Sequence, residues 1–208
     1  LMKGNIYDKA IVLLDKLEGR AAGTPLAQQA QLDKAYAQYK NGDRVAALMT
    51  LDRFMKLNPA NPAFDYALYL KGTINFNDDL GLMSKWFKQD LAERDQLAAR
   101  DSFEAYKELV TRFPDSKYSP DATLRMRHIV NLLAKSELKV ARHYYNKGAY
   151  VAAVNRAQAT LNDYPNSEAA ETALIILIDA YQALGLTQLS DDTQRVLKAS
   201  FPESRYFP

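Results

Sequence analysis

Three prolines in this chain stand at a fixed distance from a glycine, and that spacing limits the possible folds more than any other feature. Pro59, Pro165 and Pro202 each follow a glycine by 17 residues (Gly42, Gly148, Gly185) and a small residue by 12 (Ala47, Ala153, Ser190). A fourth copy ends at Pro114, with Ser102 at the small position and Leu97 where glycine would stand. A degenerate first copy runs from Gly4-Asn5 through Ala10 to Pro25. Glycine can take the left-handed conformation that ends one helix and opens a turn. The small residue lets two antiparallel helices approach, and proline stops the second helix.

Between glycine and proline the apolar residues recur at helical spacing, as Val45, Leu48, Leu51 and Met55 and again as Val151, Val154, Ala157 and Leu161. The segments before glycine do the same, with Leu32, Ala35, Tyr36 and Tyr39, then Val140, Ala141, Tyr144 and Tyr145. This is the 34-residue helix-turn-helix signature of the tetratricopeptide repeat. It predicts an all-α chain, an α-α superhelix of five repeats with no β-strand. The proline intervals locate two departures: an excess of 21 residues between Pro59 and Pro114, around residues 77–96, and one of 17 between Pro114 and Pro165. The first holds the only tryptophan. The second opens with Ser119-Pro120-Asp121, which reads as an N-cap serine with proline at the first helical position. It predicts a helix from about 120 to about 146 with a break near Ser136.

Composition narrows the chemistry. The chain has 208 residues and no cysteine, which excludes thiol catalysis, disulfides and Cys-ligated zinc. The formal net charge is +2, so no bulk attraction to nucleic acid is expected. The longest apolar run, residues 173–178, is too short to span a bilayer. The opening Leu1-Met2-Lys3 reads as the start of a fragment whose natural N-terminus lies upstream. No catalytic or metal-binding constellation emerges. His128 and His143 lack partners at ligand spacing. Gly19-Arg-Ala-Ala-Gly-Thr24 lacks the lysine and preceding strand of a phosphate loop. Asp78-Asp79 has no accompanying base or nucleophile. A hydrolase on a helical superhelix, such as a lytic transglycosylase, would need a separate lobe carrying a catalytic glutamate, for which five repeats leave no room. No enzyme activity, cofactor or metal is therefore expected.

Several segments go beyond the generic repeat. Arg53-Phe-Met-Lys-Leu-Asn-Pro-Ala-Asn-Pro62 with Asp65-Tyr66-Ala-Leu-Tyr69-Leu-Lys-Gly72 resembles the BamD/ComL family. So do Phe113-Pro-Asp-Ser-Lys-Tyr118 with Asp121-Ala-Thr123, and Gly148-Ala-Tyr-Val-Ala-Ala-Val-Asn-Arg156 with Asp163-Tyr-Pro165. The insertion with Trp86-Phe87 and Arg94-Asp95 is similar to the family's insertion in its third repeat. The resemblance implies a Gram-negative lipoprotein at the periplasmic face of the outer membrane, anchored through a lipidated cysteine that this chain does not contain. It implies a place in the machine that folds β-barrel proteins into that membrane. Residues 1–115, repeats one to three, would receive unfolded outer-membrane proteins. Residues 116–208, repeats four and five with the added helix, would dock the POTRA-bearing barrel subunit and small accessory lipoproteins. A generic periplasmic repeat lipoprotein serving cell-wall enzymes is the alternative.

The candidate sites follow from charge and aromatic spacing. Residues 117–163 hold eight Lys/Arg against three acids, a local +5 against −3 elsewhere, which suits an acidic partner. Within them Arg156, Asn155, Arg142 and Lys139 are the expected docking residues; the resemblance implies that Val154-Asn155-Arg156 lies on the family's docking surface, and Arg156 stands foremost because a guanidinium suits a partner carboxylate. Tyr36/Tyr39 and Tyr66/Tyr69 are i,i+3 pairs on first helices, so each pair shares a face. At least one pair is expected to line the substrate groove, with inter-helix packing as the competing role. Trp86 and Phe87 are expected to contact the chain's own domain or a partner.

Overall fold

The computed structural model describes the backbone of residues 2–76 and 93–207 and the side chains of 6–76 and 96–207. Trp86, Phe87 and Asp78-Asp79 lie outside the described residues. Every regular element among the described residues is a helix: α1 (Met2–Arg20), α2 (Pro25–Lys40), α3 (Arg44–Leu57), α4 (Phe64–Asn75), α5 (Glu93–Arg112), α6 (Ser119–Asn146), α7 (Tyr150–Asp163), α8 (Ala170–Ala183) and α9 (Thr187–Ser200). The helices pair as repeats do, α2 with α3, α4 with α5 and α8 with α9, and α1 packs on α2. The all-α repeat architecture expected from the spacing is present.

Both turns of the repeat are built locally and alike. Gly42, Gly148 and Gly185 have φ of 90°, 74° and 73°, the left-handed region open to glycine. At each, the glycine N–H bonds the carbonyl three residues back (Tyr39, Tyr145, Gln182) at 2.9–3.0 Å. The next N–H reaches five back (Gln38, Tyr144, Tyr181), so the last helical carbonyls are satisfied. At the other end, proline drives the residue before it out of the helical region: φ is −130° at Asn58 and −134° at Tyr164 and Phe201. Three residues on, the N–H of Asn61, Ser116, Ser167 or Ser204 closes a tight turn on the carbonyl of Asn58, Phe113, Tyr164 or Phe201 at 3.0–3.1 Å. The serine or asparagine two residues after each proline is thus a further repeated signal, which the glycine–proline spacing alone does not reveal.

Between the turns, the small positions hold the helices together. Ala47, Ala153, Ser102 and Ser190 are all buried. Helices α4 and α5 cross closely at Gly72. There the Ser102 hydroxyl donates to the Gly72 carbonyl at 2.8 Å, and the fully buried Tyr106 ring lies against Gly72.

The chain divides into two compact units, Leu1–Met126 and Arg127–Pro208, the division falling within α6. The sequence places it at 115/116. The first turns of α6 belong to the first unit because Ala122 is buried and Asp121 accepts a hydrogen bond from Tyr69 of α4. The first unit's core is Leu32 and Ala35 of α2, Ala47, Leu51 and Phe54 of α3, and Ala67, Leu70 and Ile74 of α4. In the second unit Leu174, Ile178 and Leu197 form a core covered by Leu161, Ile175, Phe201, Tyr206 and Phe207.

Three local expectations are corrected. Helix α6 runs unbroken through Ser136, because Leu133, Ala134, Leu138 and Ala141 keep burying one face past that point. The Ser119 hydroxyl donates to the Phe113 carbonyl and so completes the proline turn instead of capping α6. Gly4 lies inside α1, and Pro25 opens α2 at its first turn instead of closing a helix. The turn between α1 and α2 uses Gly23 (φ 79°) and Thr24, whose hydroxyl accepts the Ala27 N–H.

The α4–α5 crossing yields a direct test. A Cβ added at Gly72 would stand 2.5 Å from Tyr106 Cε1. Gly72→Ala is expected to cost about 1–3 kcal/mol in denaturant unfolding. Gly19→Ala, a helical site with open space around it, should be neutral or stabilise by up to ~1 kcal/mol. Equal stabilities for the two variants would contradict the packing described.

Candidate docking surfaces

Helices α2 and α4 place their tyrosines by helical spacing, but the two pairs end in different settings. Tyr39 packs against the first unit's core, while Tyr36 is 41% exposed. The Lys40 ammonium lies 5.5 Å from the Tyr36 ring centre and 5.3 Å from that of Tyr39. Tyr36/Tyr39 is therefore split between packing and surface. Tyr66 and Tyr69 stay together, because both meet Tyr118 of the proline turn. Tyr69 stacks on it at 4.9 Å between centroids and Tyr66 tilts against it at 5.6 Å. Tyr69 also meets Tyr106 of α5 at 6.0 Å.

The half-buried rings titrate above the ordinary range for tyrosine. Burial, then the neighbouring Tyr118, Tyr36 and Asp33, pushes Tyr66 up to about 12. Tyr69 is raised by burial and by its hydrogen bond to Asp121, against the pull of Arg125. These phenols remain neutral at any physiological pH, so the surface offers rings and hydroxyls without charge. A cleft of about 700 Å³ opens beside them, lined by Gln29 and Leu32 of α2, Ala63 just before α4, Tyr66 of α4, and Ser116 and Tyr118 of the turn.

A polar clamp holds this arrangement. The Tyr69 hydroxyl donates to Asp121 Oδ2 at 2.7 Å, and Arg125 Nε donates to the same oxygen at 2.6 Å. Ser116 Oγ donates to Asp65 Oδ2 at 2.6 Å, which ties the turn to the start of α4. Tyr118, Asp121 and Arg125 were not among the residues singled out from the sequence. The signal was present, since Tyr118 and Asp121 belong to the family-like segment 113–123, but nothing local ties them to Tyr69.

The second unit carries the basic residues. Arg156 of α7 is 49% exposed, and its Nη1 donates to Glu137 Oε2 of α6 at 3.2 Å. An ion pair this exposed holds by no more than about 1 kcal/mol, so a partner carboxylate can compete for the guanidinium. Asn155 lies beside it on the surface. Lys139 and Arg142 are also exposed on α6. The carboxyl of Asp179 in α8 is raised by burial and pulled back by the positive charge of Arg142. Of the four expected docking residues, Arg156 pairs with Glu137, and the charge of Arg142 is felt by Asp179. Glu168, outside residues 117–163, pairs with Lys135 and so offsets one positive charge of that stretch.

The clamp makes a pH prediction. Burial alone would raise the Asp121 carboxyl, but hydrogen bonds from Tyr69 and Arg125 and the arginine's charge hold it below its ordinary value. Its contribution is then complete above about pH 4 and is lost as pH falls through the lower folded value. Asp121→Asn is expected to cost less than about 1 kcal/mol near neutrality. The gap from the parent protein should narrow below about pH 4. A gap unchanged from neutrality to pH 3 would contradict the clamp.

No helix among the described residues is long and apolar enough to cross a membrane. The family model described as outer membrane lipoprotein, YfiO, matches residues 1–197. The outer membrane protein assembly factor BamD of Neisseria meningitidis serogroup A is 46% identical over 200 residues, covering 96% of this chain and 75% of that protein. BamD of Vibrio cholerae is 37% identical over 189 residues, covering 91% and 78%. BamD of Haemophilus influenzae is 35% identical over 194 residues, covering 93% and 74%. With a family match along nearly its whole length and these identities, the chain belongs to the BamD family of outer membrane lipoproteins.

Proposed function

We propose that this protein is a non-enzymatic scaffold subunit of the machinery that assembles β-barrel proteins into the outer membrane, working at that membrane's periplasmic face. The relatives named as outer membrane protein assembly factors support the process. The observation that carries the finer reading is the tyrosine surface of the first unit, where Tyr66 and Tyr118 pack together and border a cleft. Tyrosine offers large contact area at low entropic cost with a polar tip. That suits segments in which aromatic and polar side chains alternate, as in β-strands bound for a barrel. In this reading the first unit receives unfolded barrel proteins.

The second unit docks the POTRA-bearing barrel subunit through Asn155 and Arg156 of α7, with accessory lipoproteins nearby. Arg156 leaves Glu137 for a carboxylate of the partner. Lys139 and Arg142, exposed on α6, add to this docking surface. Trp86 and Phe87 of the inserted segment supply a further contact. The family's lipid anchor, upstream of this chain's residues, keeps the protein at the membrane.

Two surface substitutions separate the jobs. Arg156→Glu should abolish co-purification of the POTRA-bearing subunit from envelope extract. It should leave crosslinking of unfolded barrel proteins at position 36 intact. Tyr66→Ala should do the reverse, weakening substrate crosslinking by about tenfold, the loss of one partly buried aromatic contact. Unchanged co-purification in Arg156→Glu, or recovery of peptidoglycan synthases instead of a barrel subunit, would overturn the reading.

A further inference from the structure

The cleft beside the tyrosines is acidic. Asp33 of α2, Asp65 of α4 and Asp115 of the proline turn all line it, against one cation, Lys117. Among the described residues, none of the three carboxylates has a cation at ion-pair distance. Asp33 accepts a hydrogen bond from Gln29 Nε2 at 2.9 Å, and Asp65 accepts one from Ser116. Lys117 lies on an aromatic ring of the same cleft, its ammonium 5.0 Å from the Tyr118 ring centre, and offsets one of the three charges. The cleft thus combines net negative charge with half-buried tyrosine rings.

The rings of this unit already hold cations. Besides Lys117 on Tyr118, Lys40 lies over Tyr36 and Tyr39, Arg125 lies 5.9 Å from the Tyr69 ring centre, and Arg112 lies 4.6 Å from that of Phe64. A carboxylate next to an aromatic face attracts a lysine or arginine twice, through charge and through the ring quadrupole. The same field repels a carboxylate, including the one at a chain's C-terminus.

Taking the substrate-receiving reading above as its basis, we propose that this cleft selects extended polypeptide segments carrying a lysine or arginine next to an aromatic residue. The basic side chain lies between Asp33 and Asp115, and its aromatic neighbour packs on Tyr66 and Tyr118. Segments with an acidic residue at that place, or a free C-terminal carboxylate, are disfavoured. The first unit therefore reads the charge of a barrel segment as well as its aromatic spacing.

The test is fluorescence anisotropy on the full chain with three labelled octapeptides of alternating aromatic and polar residues. One has a central lysine and an amidated C-terminus, one a central glutamate and an amidated C-terminus, and one a central lysine and a free carboxylate. The lysine amide should bind about fivefold or more tighter than the glutamate peptide, the effect of two exposed charge contacts. Its free-acid form should fall between them. In an Asp33→Asn/Asp115→Asn variant, with both substitutions at exposed positions, the preference should fall to about one. In the parent protein the preference should shrink as salt is raised. Equal binding of the lysine and glutamate peptides, or a preference for glutamate, overturns charge selection and leaves the tyrosine cleft as a peptide site. Failure of all three peptides to bind overturns both readings.

Discussion

The close approach of paired helices at their small residues is the constraint on which the rest depends. Ala47, Ser102, Ala153 and Ser190 have no side chain long enough to hold the helices apart. Where α4 crosses α5, even a methyl on Gly72 would meet Tyr106. This proximity sets where every outward side chain falls. It brings Tyr69 within reach of Tyr106, and Ser102 within reach of the Gly72 carbonyl. Left-handed glycines and proline turns fix the direction of each helix, and the small residues fix the depth to which it packs.

From that frame the two units acquire different surfaces. In the first, the proline turn before α6 brings Tyr118 onto the tyrosines of α4, and the Tyr69–Asp121–Arg125 clamp holds the start of α6 in place. The result is an open face of neutral rings bordered by unpaired carboxylates, chemistry suited to gripping an extended chain. In the second unit the cations of α6 and α7 stay at the surface, and the half-buried Glu137 that restrains Arg156 is replaceable by a partner's carboxylate. One repeat backbone therefore carries two kinds of surface chemistry, and the difference lies in the side chains at outward positions.

Local features were legible in the sequence and long-range ones were not. Gly42, Gly148 and Gly185 could be read because a left-handed turn depends on one residue. The proline stops could be read because proline constrains only itself and the residue before it. The continuity of α6 through Ser136 could not, since it depends on what Leu133 and Leu138 bury. The first copy's turn was misplaced to Gly4 because that copy lacks the 17-residue spacing, and Gly23 carries the turn. Tyr66 and Tyr69 were found by spacing. Their partners Tyr118 and Asp121 stand about fifty residues away in the chain, and no periodicity joins them. Nor does the charge count reveal that Arg156 pairs with Glu137, a contact that arises only when α7 folds against α6.

Hydrogen–deuterium exchange of the chain alone and with an unfolded outer-membrane β-barrel protein tests the central claim most directly, that the tyrosine face of the first unit is where a polypeptide is received. Exchange should slow in α2, the first turns of α4 and residues 113–118, with α7 to α9 unchanged. Slowing confined to α7–α9, or none anywhere, would contradict it.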